Sequence, residues 1–97
     1  MIKSWGDSAT EDLFNGVKSA KVRAFDQDAV KPARKKLDTL NAAADLGVLA
    51  AVPGNRLELL KGGRFAGFYS VRVNNKWRIV FKWTDGPCDV RLVDYHD

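Results

Sequence analysis

The sequence predicts an α+β fold in which two N-terminal helices pack on one face of a mainly antiparallel sheet of four to five strands. Three observations support this prediction. Helical periodicity is confined to the first half of the chain, strand alternation dominates the second half, and short turns rich in Gly, Asn and Pro separate the strands. Strands joined by short turns pair antiparallel, and helices that precede them cover one face of their sheet.

The first half is expected to contain one short strand and two helices. Met1–Trp5 alternates in polarity and predicts the strand. The capping-box residues Ser8 and Glu11 predict a short helix that begins at Ser8. Asp26 and Asp28 both suit the N-terminus of the second helix, where a carboxylate meets free amides and the positive end of the dipole. Pro32 indicates that the regular helix begins close to it, because proline is tolerated in a first turn, and Gly47 is the expected end. Its apolar stripe consists of Val30, Ala33, Leu37, Leu40 and Ala44.

The second half is expected to form four consecutive strands. Alternation places Trp77 and Tyr69 among the core residues and leaves Arg78 and Lys82 on the opposite, open face. The segment 48–55 should be a loop, and 74–76 a hairpin turn, because Asn tolerates a left-handed backbone. The predicted strands are 57–60, 68–74, 77–83 and 89–96.

Length and composition predict a single domain over residues 1–97. The chain is 45% apolar and 29% charged, which is typical of globular proteins. A single cysteine, Cys88, cannot form an intramolecular disulfide, and no Cys/His cluster has metal-ligand spacing, so no metal site is expected. Neither a signal peptide nor a membrane span is expected, which predicts a cytoplasmic protein.

Positive charge is concentrated between Arg56 and Lys82. This segment holds seven basic residues and one acidic residue, Glu58, whereas the whole chain has a formal net charge of +4. A concentrated positive field with interleaved aromatic residues is typical of a nucleic-acid site. The alternative is that these cations only hydrate one face of the sheet. They are Arg56, Lys61, Arg64, Arg72, Lys76, Arg78 and Lys82.

Few catalytic arrangements are compatible with the sequence. It contains no phosphate-binding loop of Walker type and no recognisable Ser-His-Asp set. Because His96 is the single histidine, a ribonuclease with two histidines as acid and base is excluded, but one proton-transfer role is possible. Lys61, Arg64 and Arg78 could hold a phosphate and stabilise charge that develops on it.

Four stretches of the chain are similar to one protein family. They read MIKSW at 1–5, PGNRLELLKG at 53–62, GFYSVRVNNKWRI at 67–79 and VDYH at 93–96. Together they resemble the HigB-type toxins, a branch of the RelE-like superfamily from bacterial toxin–antitoxin systems. The resemblance extends over essentially the whole chain, and the hairpin together with the terminal Asp-Tyr-His is its most specific part. It implies a RelE-like compact fold.

The resemblance also implies ribosome-dependent endonuclease activity on mRNA. In that family the toxin enters the ribosomal A site, where the 2′-hydroxyl of the mRNA attacks the adjacent phosphate, so neither a metal nor a cofactor is needed. A HigA-like antitoxin with a helix-turn-helix holds the toxin inactive, and operator DNA is bound through the antitoxin complex. Such a toxin would inhibit translation and arrest growth.

The family's motifs imply five catalytic residues. Its lysine before Gly falls on Lys61, its arginine after Trp on Arg78, and its C-terminal triplet on Asp94, Tyr95 and His96. Lys61 and Arg78 would neutralise the scissile phosphate. His96, together with Asp94, would transfer a proton or orient the nucleophile, and Tyr95 would stack on a base or position it.

Other cations are expected to contact RNA. For Arg72, the alternative to RNA contact is an ordinary surface cation, and for the cations of the second helix it is a solvated helix surface. Some relatives carry a histidine where this chain has Glu58, so the role of that position is open. The expected RNA-binding residues are Arg64, Arg72 and Lys82 in the basic segment and Lys31, Arg34 and Lys35 on the second helix.

Two other functions compete with RNA cleavage. Some members of the same superfamily inhibit DNA gyrase without catalysis, but they generally lack a set of phosphate-site residues. A simple nucleic-acid-binding module would show salt-sensitive binding without growth arrest. DNA damage on induction, with intact mRNA, would favour inhibition of gyrase.

Overall fold

Four helices precede a four-stranded antiparallel sheet in the computed structural model, which describes residues 1–95. The strands follow one another in the order β1-β2-β3-β4, so the sheet is a meander. The predicted α+β class is therefore confirmed. None of the helices within residues 1–95 is long and apolar enough to cross a membrane. The helices are α1 (Ser8–Asn15), α2 (Ala20–Arg23), α3 (Gln27–Ala42) and α4 (Leu46–Ala50), and the strands are β1 (Glu58–Leu59), β2 (Tyr69–Arg72), β3 (Trp77–Trp83) and β4 (Pro87–Asp94).

The main core lies between the helices and one face of the sheet, called the inner face below. Alternation along β3 turns Trp77, Ile79 and Phe81 towards this core, and Tyr69 of β2 packs against it, as predicted. Burial of each large apolar side chain contributes about 1.5–3 kcal/mol. The core residues of α3 are Ala29, Ala33, Leu37 and Leu40, each fully buried.

Helix α3 has Asp26 at its N-cap position, one of the two predicted starts, but Pro32 lies deeper in the helix and the helix ends earlier than predicted. It begins at Gln27 and contains Pro32 inside the helix rather than near its start. Pro32 lies on the exposed side, where the missing amide costs one hydrogen bond while the buried stripe continues past it. The helix ends at Ala42, and Gly47 lies within α4 instead of ending α3. Asp45 explains this, because its carboxylate accepts a hydrogen bond from the Val48 amide (3.1 Å) and caps a new helix that continues into the predicted loop 48–55.

The first helix begins at Ser8, as predicted, but a different residue caps it. Asp7, rather than Ser8, is the N-cap of α1, and its carboxylate accepts a hydrogen bond from the Thr10 amide at 2.8 Å. A carboxylate satisfies the free amide and also interacts favourably with the positive end of the helix dipole. The connector after α1 contains the short helix α2, which Ser19 caps.

The N-terminal segment covers the free edge of β4. Trp5 forms a single parallel bridge with Val90, rather than the predicted strand. The Lys3 amide donates to the Pro87 carbonyl at 2.8 Å, and the Gly6 amide donates to the Val90 carbonyl at 2.9 Å. These bonds satisfy backbone groups that would otherwise be open to pairing with another chain.

The predicted turn between β2 and β3 is confirmed, but its mechanism differs. Neither Asn74 nor Asn75 adopts a positive φ. Instead, the Asn74 side chain accepts hydrogen bonds from the amides of Lys76 (2.9 Å) and Trp77 (2.8 Å). A side-chain cap of this kind replaces the left-handed backbone that the sequence predicted.

Thr10 joins α1 to the middle of β4, and its replacement should destabilise the fold. Its buried hydroxyl accepts a hydrogen bond from the Leu92 amide at 2.9 Å. Thr10→Val keeps the volume but leaves a buried amide without a partner, so we expect a loss of about 1–3 kcal/mol in the free energy of unfolding. Thr10→Ser, which keeps the acceptor, is the matched control. Urea unfolding measures both, and equal midpoints for Thr10→Val and wild type would contradict the assignment.

Candidate nucleic-acid interface

A second apolar cluster lies on the opposite, outer face of the sheet. Val80 of β3 points to this face, between Ile79 and Phe81, which point to the core. The rings of Phe65 and Phe68 meet edge to face with centroids 5.4 Å apart. The cluster therefore forms a small apolar platform on the face that carries no helices. Its members, called the outer cluster below, are Leu60, Phe65, Phe68 and Val80, with Val93 and Tyr95 packed against them.

Cations surround the outer cluster and lie against its aromatic rings. Contacts of this kind contribute about 0.5–1 kcal/mol each at exposed positions, and they also fix where the positive charge sits. The outer face therefore combines aromatic rings with positive charge, as the sequence predicted. From the cationic centre to the ring centroid, the pairs are Arg64–Phe65 at 4.8 Å, Lys82–Phe68 at 5.1 Å, Arg78–Tyr95 at 5.6 Å and Arg91–Phe65 at 5.9 Å.

Arg78 forms side-chain hydrogen bonds that the other cations around the outer cluster lack in the described residues. Its Nη1 lies 3.3 Å from Oε1 of Glu58 and 3.4 Å from Oγ of Ser70. Strand register explains the contacts, since Glu58 pairs with Ser70 and Ser70 pairs with Val80, two residues from Arg78. The Arg78 side chain is 20% exposed, whereas the Glu58 side chain is 53% exposed. The guanidinium is thus held by Glu58, Ser70 and the Tyr95 ring and is still partly exposed to a ligand.

The loop between β1 and β2 carries the other predicted phosphate-binding residues. Lys61 is exposed and directly follows Leu60 of the outer cluster. The Gly67 amide donates to the Leu60 carbonyl at 2.8 Å, so the loop closes on itself. Gly67 has a φ of 87°, which a residue with a side chain rarely adopts. The closed loop presents Lys61 and Arg64 to solvent beside the outer cluster.

The two described residues of the C-terminal triplet lie on opposite faces of the sheet. Tyr95 packs on the outer cluster beside Arg78. Asp94 pairs in register with Trp77, and its carboxylate lies 3.7 Å from the Lys76 ammonium. Asp94 therefore does not share the outer face with Arg78. His96 lies outside the described residues.

Asp94 lies next to a polar network at the start of α3. The Asp26 carboxylate accepts from the Trp77 indole at 2.9 Å and from Lys76 at 3.2 Å. The indole hydrogen bond and the ammonium hold the pKa of the Asp26 carboxyl below its usual value. In turn, the Asp26 carboxylate raises the pKa of Lys76. This network explains why Asp26 does not cap α3 with its side chain and ties the β2–β3 hairpin to the helical layer.

The remaining predicted RNA-binding residues lie apart from the Arg78 site. Arg72 pairs in register with Arg78, but its guanidinium turns away and donates to the Asn74 carbonyl at 3.2 Å and to the Asn75 side chain. On α3, Arg34 donates to the Leu13 carbonyl at 3.0 Å. The α3 residues Lys31, Arg34 and Lys35 belong to the helical layer on the other side of the sheet.

Two residues of the outer face were not assigned a role by the sequence reasoning. Glu58 contacts Arg78, although its position in the sequence shows only that it is the single acid of the basic segment. Arg91 contacts the Phe65 ring across 26 residues of sequence. Arg91 and Tyr95 are four residues apart in the predicted strand 89–96, so alternation puts them on the same face, but nothing local indicates that the β1–β2 loop lies against Arg91.

Comparisons with known proteins agree with this architecture. A family model described as RelE-like toxin of type II toxin-antitoxin system HigB matches residues 7–96. The chain is 40% identical over 62 residues to Toxin HigB-1 of Vibrio cholerae, a match that covers 64% of each chain. It is 33% identical over 101 residues to Endoribonuclease HigB of Proteus vulgaris, covering 100% of this chain and 98% of that protein.

A further relative of unassigned function extends the comparison. It is an uncharacterized protein of Haemophilus influenzae, 32% identical over 62 residues, and the match covers 60% of its length. The chain thus covers slightly less than two thirds of the Vibrio and Haemophilus proteins. The family model, in contrast, extends over nearly the whole chain. Together with the α+β architecture, this match shows that the chain belongs to the HigB family of RelE-like toxins from type II toxin–antitoxin systems.

Proposed function

We propose that this chain is an endoribonuclease that inhibits translation by cutting mRNA in the ribosomal A site. The observation that carries the proposal is the Arg78 guanidinium, held between Ser70, Glu58 and Tyr95 on a face with further cations. A forked guanidinium in a fixed position suits a phosphate oxygen pair. The relative named Endoribonuclease HigB, similar over the full chain, supports the same activity.

The proposed reaction uses the nucleophile that RNA itself carries. The 2′-hydroxyl oxygen attacks the adjacent phosphorus, the new O2′–P bond forms, and the P–O5′ bond breaks. One proton leaves the 2′-hydroxyl and one proton joins the departing 5′-oxygen. Because this internal transfer requires acid–base and electrostatic catalysis, we propose that side chains suffice, without a metal or cofactor.

The described geometry supports definite roles in this reaction. Arg78 and Lys61 neutralise the phosphate as negative charge develops on its oxygens. Glu58 accepts the 2′-hydroxyl proton, since its exposed carboxylate lies beside the Arg78 guanidinium that holds the phosphate. Tyr95 stacks on a flanking base. His96 protonates the leaving oxygen, and Asp94, two residues before it, orients this end of the chain.

The proposed partners follow from the family. We propose that residues 1–97 act as one domain in the cytoplasm and that a HigA-like helix-turn-helix antitoxin neutralises them. The antitoxin complex, rather than this chain alone, binds operator DNA. Ribosomal RNA contacts would fall to exposed cations such as Lys31 and Lys35 on α3, in the helical layer and not on the face that carries Arg78.

Induced expression tests the proposed function directly. We expect growth arrest, with transcripts cut within codons when their 5′ ends are mapped, and recovery when the antitoxin is expressed. Purified protein should cut mRNA on ribosomes and leave the same mRNA intact without them. Growth arrest with intact transcripts and DNA damage would overturn the proposal in favour of gyrase inhibition.

A further inference from the structure

Arg91 of β4 is the one side chain with a buried donor that lacks a partner within residues 1–95. Its Nε is buried and forms no hydrogen bond. Buried polar groups nearly always have a hydrogen-bond partner, so an exception needs an explanation. Its guanidinium lies over the Phe65 ring at the edge of the outer cluster. Nε itself is sealed from solvent, but the guanidinium charge of Arg91 has no counterion among residues 1–95.

The N-terminal segment leaves room for the Arg91 side chain. A Cβ added at Gly6 would lie 2.1 Å from Arg91 Nε and 2.4 Å from its Cγ, so a side chain at this position would displace Arg91. The Gly6 amide is itself bonded to the Val90 carbonyl, which fixes the segment in place. Arg91 therefore runs between the N-terminal segment and Phe65, which reduces the entropy it would lose on binding a ligand.

Arg91 shares the outer cluster with two other cations. Arg64 lies over the same Phe65 ring, and Lys82 lies over Phe68, which contacts Phe65 edge to face. Within the part of the chain that the structure describes, none of the three forms an ion pair with a carboxylate. The ion pairs there are Lys3–Asp85, Lys76–Asp26, Lys76–Asp94 and Arg78–Glu58. Three cations that lie around two contacting rings, without a carboxylate partner among the described residues, make this edge of the outer face attractive to an anion.

We propose that Arg64, Lys82 and Arg91 form a second phosphate-binding subsite for the backbone of single-stranded RNA. The subsite lies on the same face as Arg78 and would hold a phosphate other than the one that is cut. Phe65 is 6% exposed and Phe68 is 9% exposed, so these rings support the cations and cannot stack on bases. The subsite therefore binds RNA without selecting its sequence, because phosphate contacts position the strand but do not read it.

That the bound RNA strand is also the substrate rests on the proposed function, but RNA binding can be measured without cleavage. The probes are fully 2′-O-methylated RNA, which cannot be cut, as a dinucleotide and as an octanucleotide. Fluorescence anisotropy gives their affinities between about 50 and about 200 mM salt. We expect Arg91→Gln to weaken octanucleotide binding about tenfold and to reduce the salt slope by about 0.7, the value for one phosphate contact on a single strand. The dinucleotide, held at Arg78, should bind as in wild type.

Three further variants separate this effect from misfolding and from general loss of charge. Arg64→Gln, at an exposed position, should weaken octanucleotide binding in the same way even if Arg91→Gln does not fold. Arg91→Lys should keep the salt slope. Arg23→Gln removes the same charge from α2 and should change neither affinity.

Wild-type octanucleotide affinity and salt slope in both Arg91→Gln and Arg64→Gln would overturn the subsite. Poly-glutamate, added at a charge concentration equal to that of the octanucleotide, is the competitor. If it displaces the octanucleotide from wild type but not from Arg91→Gln, the subsite is overturned in favour of a site for an acidic protein partner. If the wild-type protein does not cut mRNA but binds the octanucleotide more tightly than the dinucleotide, only the proposed function is overturned.

Discussion

Replacement of Arg78 by alanine is expected to abolish growth arrest and to lower the rate of mRNA cleavage at least 10²–10³-fold, the order found when a charge-stabilising donor is removed. The guanidinium is the cation that Ser70, Glu58 and Tyr95 hold in one position, so its loss removes an oriented charge and not only a diffuse one. Ribosome-dependent cleavage of a defined mRNA measures the rate, and induced expression measures the toxicity.

Two variants make the Arg78 result interpretable. Arg78→Lys keeps the charge but loses the forked geometry, and we expect an intermediate rate. Arg23→Ala removes the same charge from the exposed surface of α2 and should remain toxic. The thermal melting temperatures of all three variants report whether the fold persists. A folded Arg78→Ala protein that is as toxic as wild type would show that the site is elsewhere.

Replacement of Glu58 by glutamine is expected to lower the cleavage rate by a factor on the order of 10²–10⁴, the usual contribution of a general base. Binding of 2′-O-methylated RNA should at the same time become tighter or stay unchanged. The reason is that the Glu58 carboxylate, 3.3 Å from Arg78, competes with a phosphate for the same guanidinium. The cleavage rate and the affinity are therefore expected to change in opposite directions.

A positioning role for Glu58 would give a different result. If the carboxylate only orients Arg78, glutamine can still accept the hydrogen bond, and both rate and affinity should stay near wild type. Glu58→His should restore part of the rate, because a neutral imidazole can accept a proton near neutral pH. Glu11→Gln removes an exposed carboxylate from α1 and is the matched control. Wild-type cleavage by Glu58→Gln would eliminate the proposed base.

The helices show where sequence reasoning was least reliable. The stripe that contains Ala33, Leu37 and Leu40 correctly predicted the buried face of α3. Asp26 correctly indicated the start of α3, whereas Pro32 pointed to a later start, because burial of Ala29 outweighed the cost of proline inside the helix. The predicted end was wrong, because the Asp45 cap outweighed the helix-breaking tendency of Gly47. Such competition between local signals is decided by packing, which a single sequence does not show.

The sequence by itself determined the two faces of the sheet. Side chains alternate with a period of two, so Ile79 and Phe81 had to face one way and Arg78 and Lys82 the other, whichever strands became neighbours. Tertiary structure alone decided which residues surround the cations. The contact between Arg78 and Glu58 depends on the register of three strands, and the position of Arg91 depends on a loop and an N-terminal segment far away in sequence. Contacts of this kind follow from the pairing of distant segments, and no local periodicity encodes them.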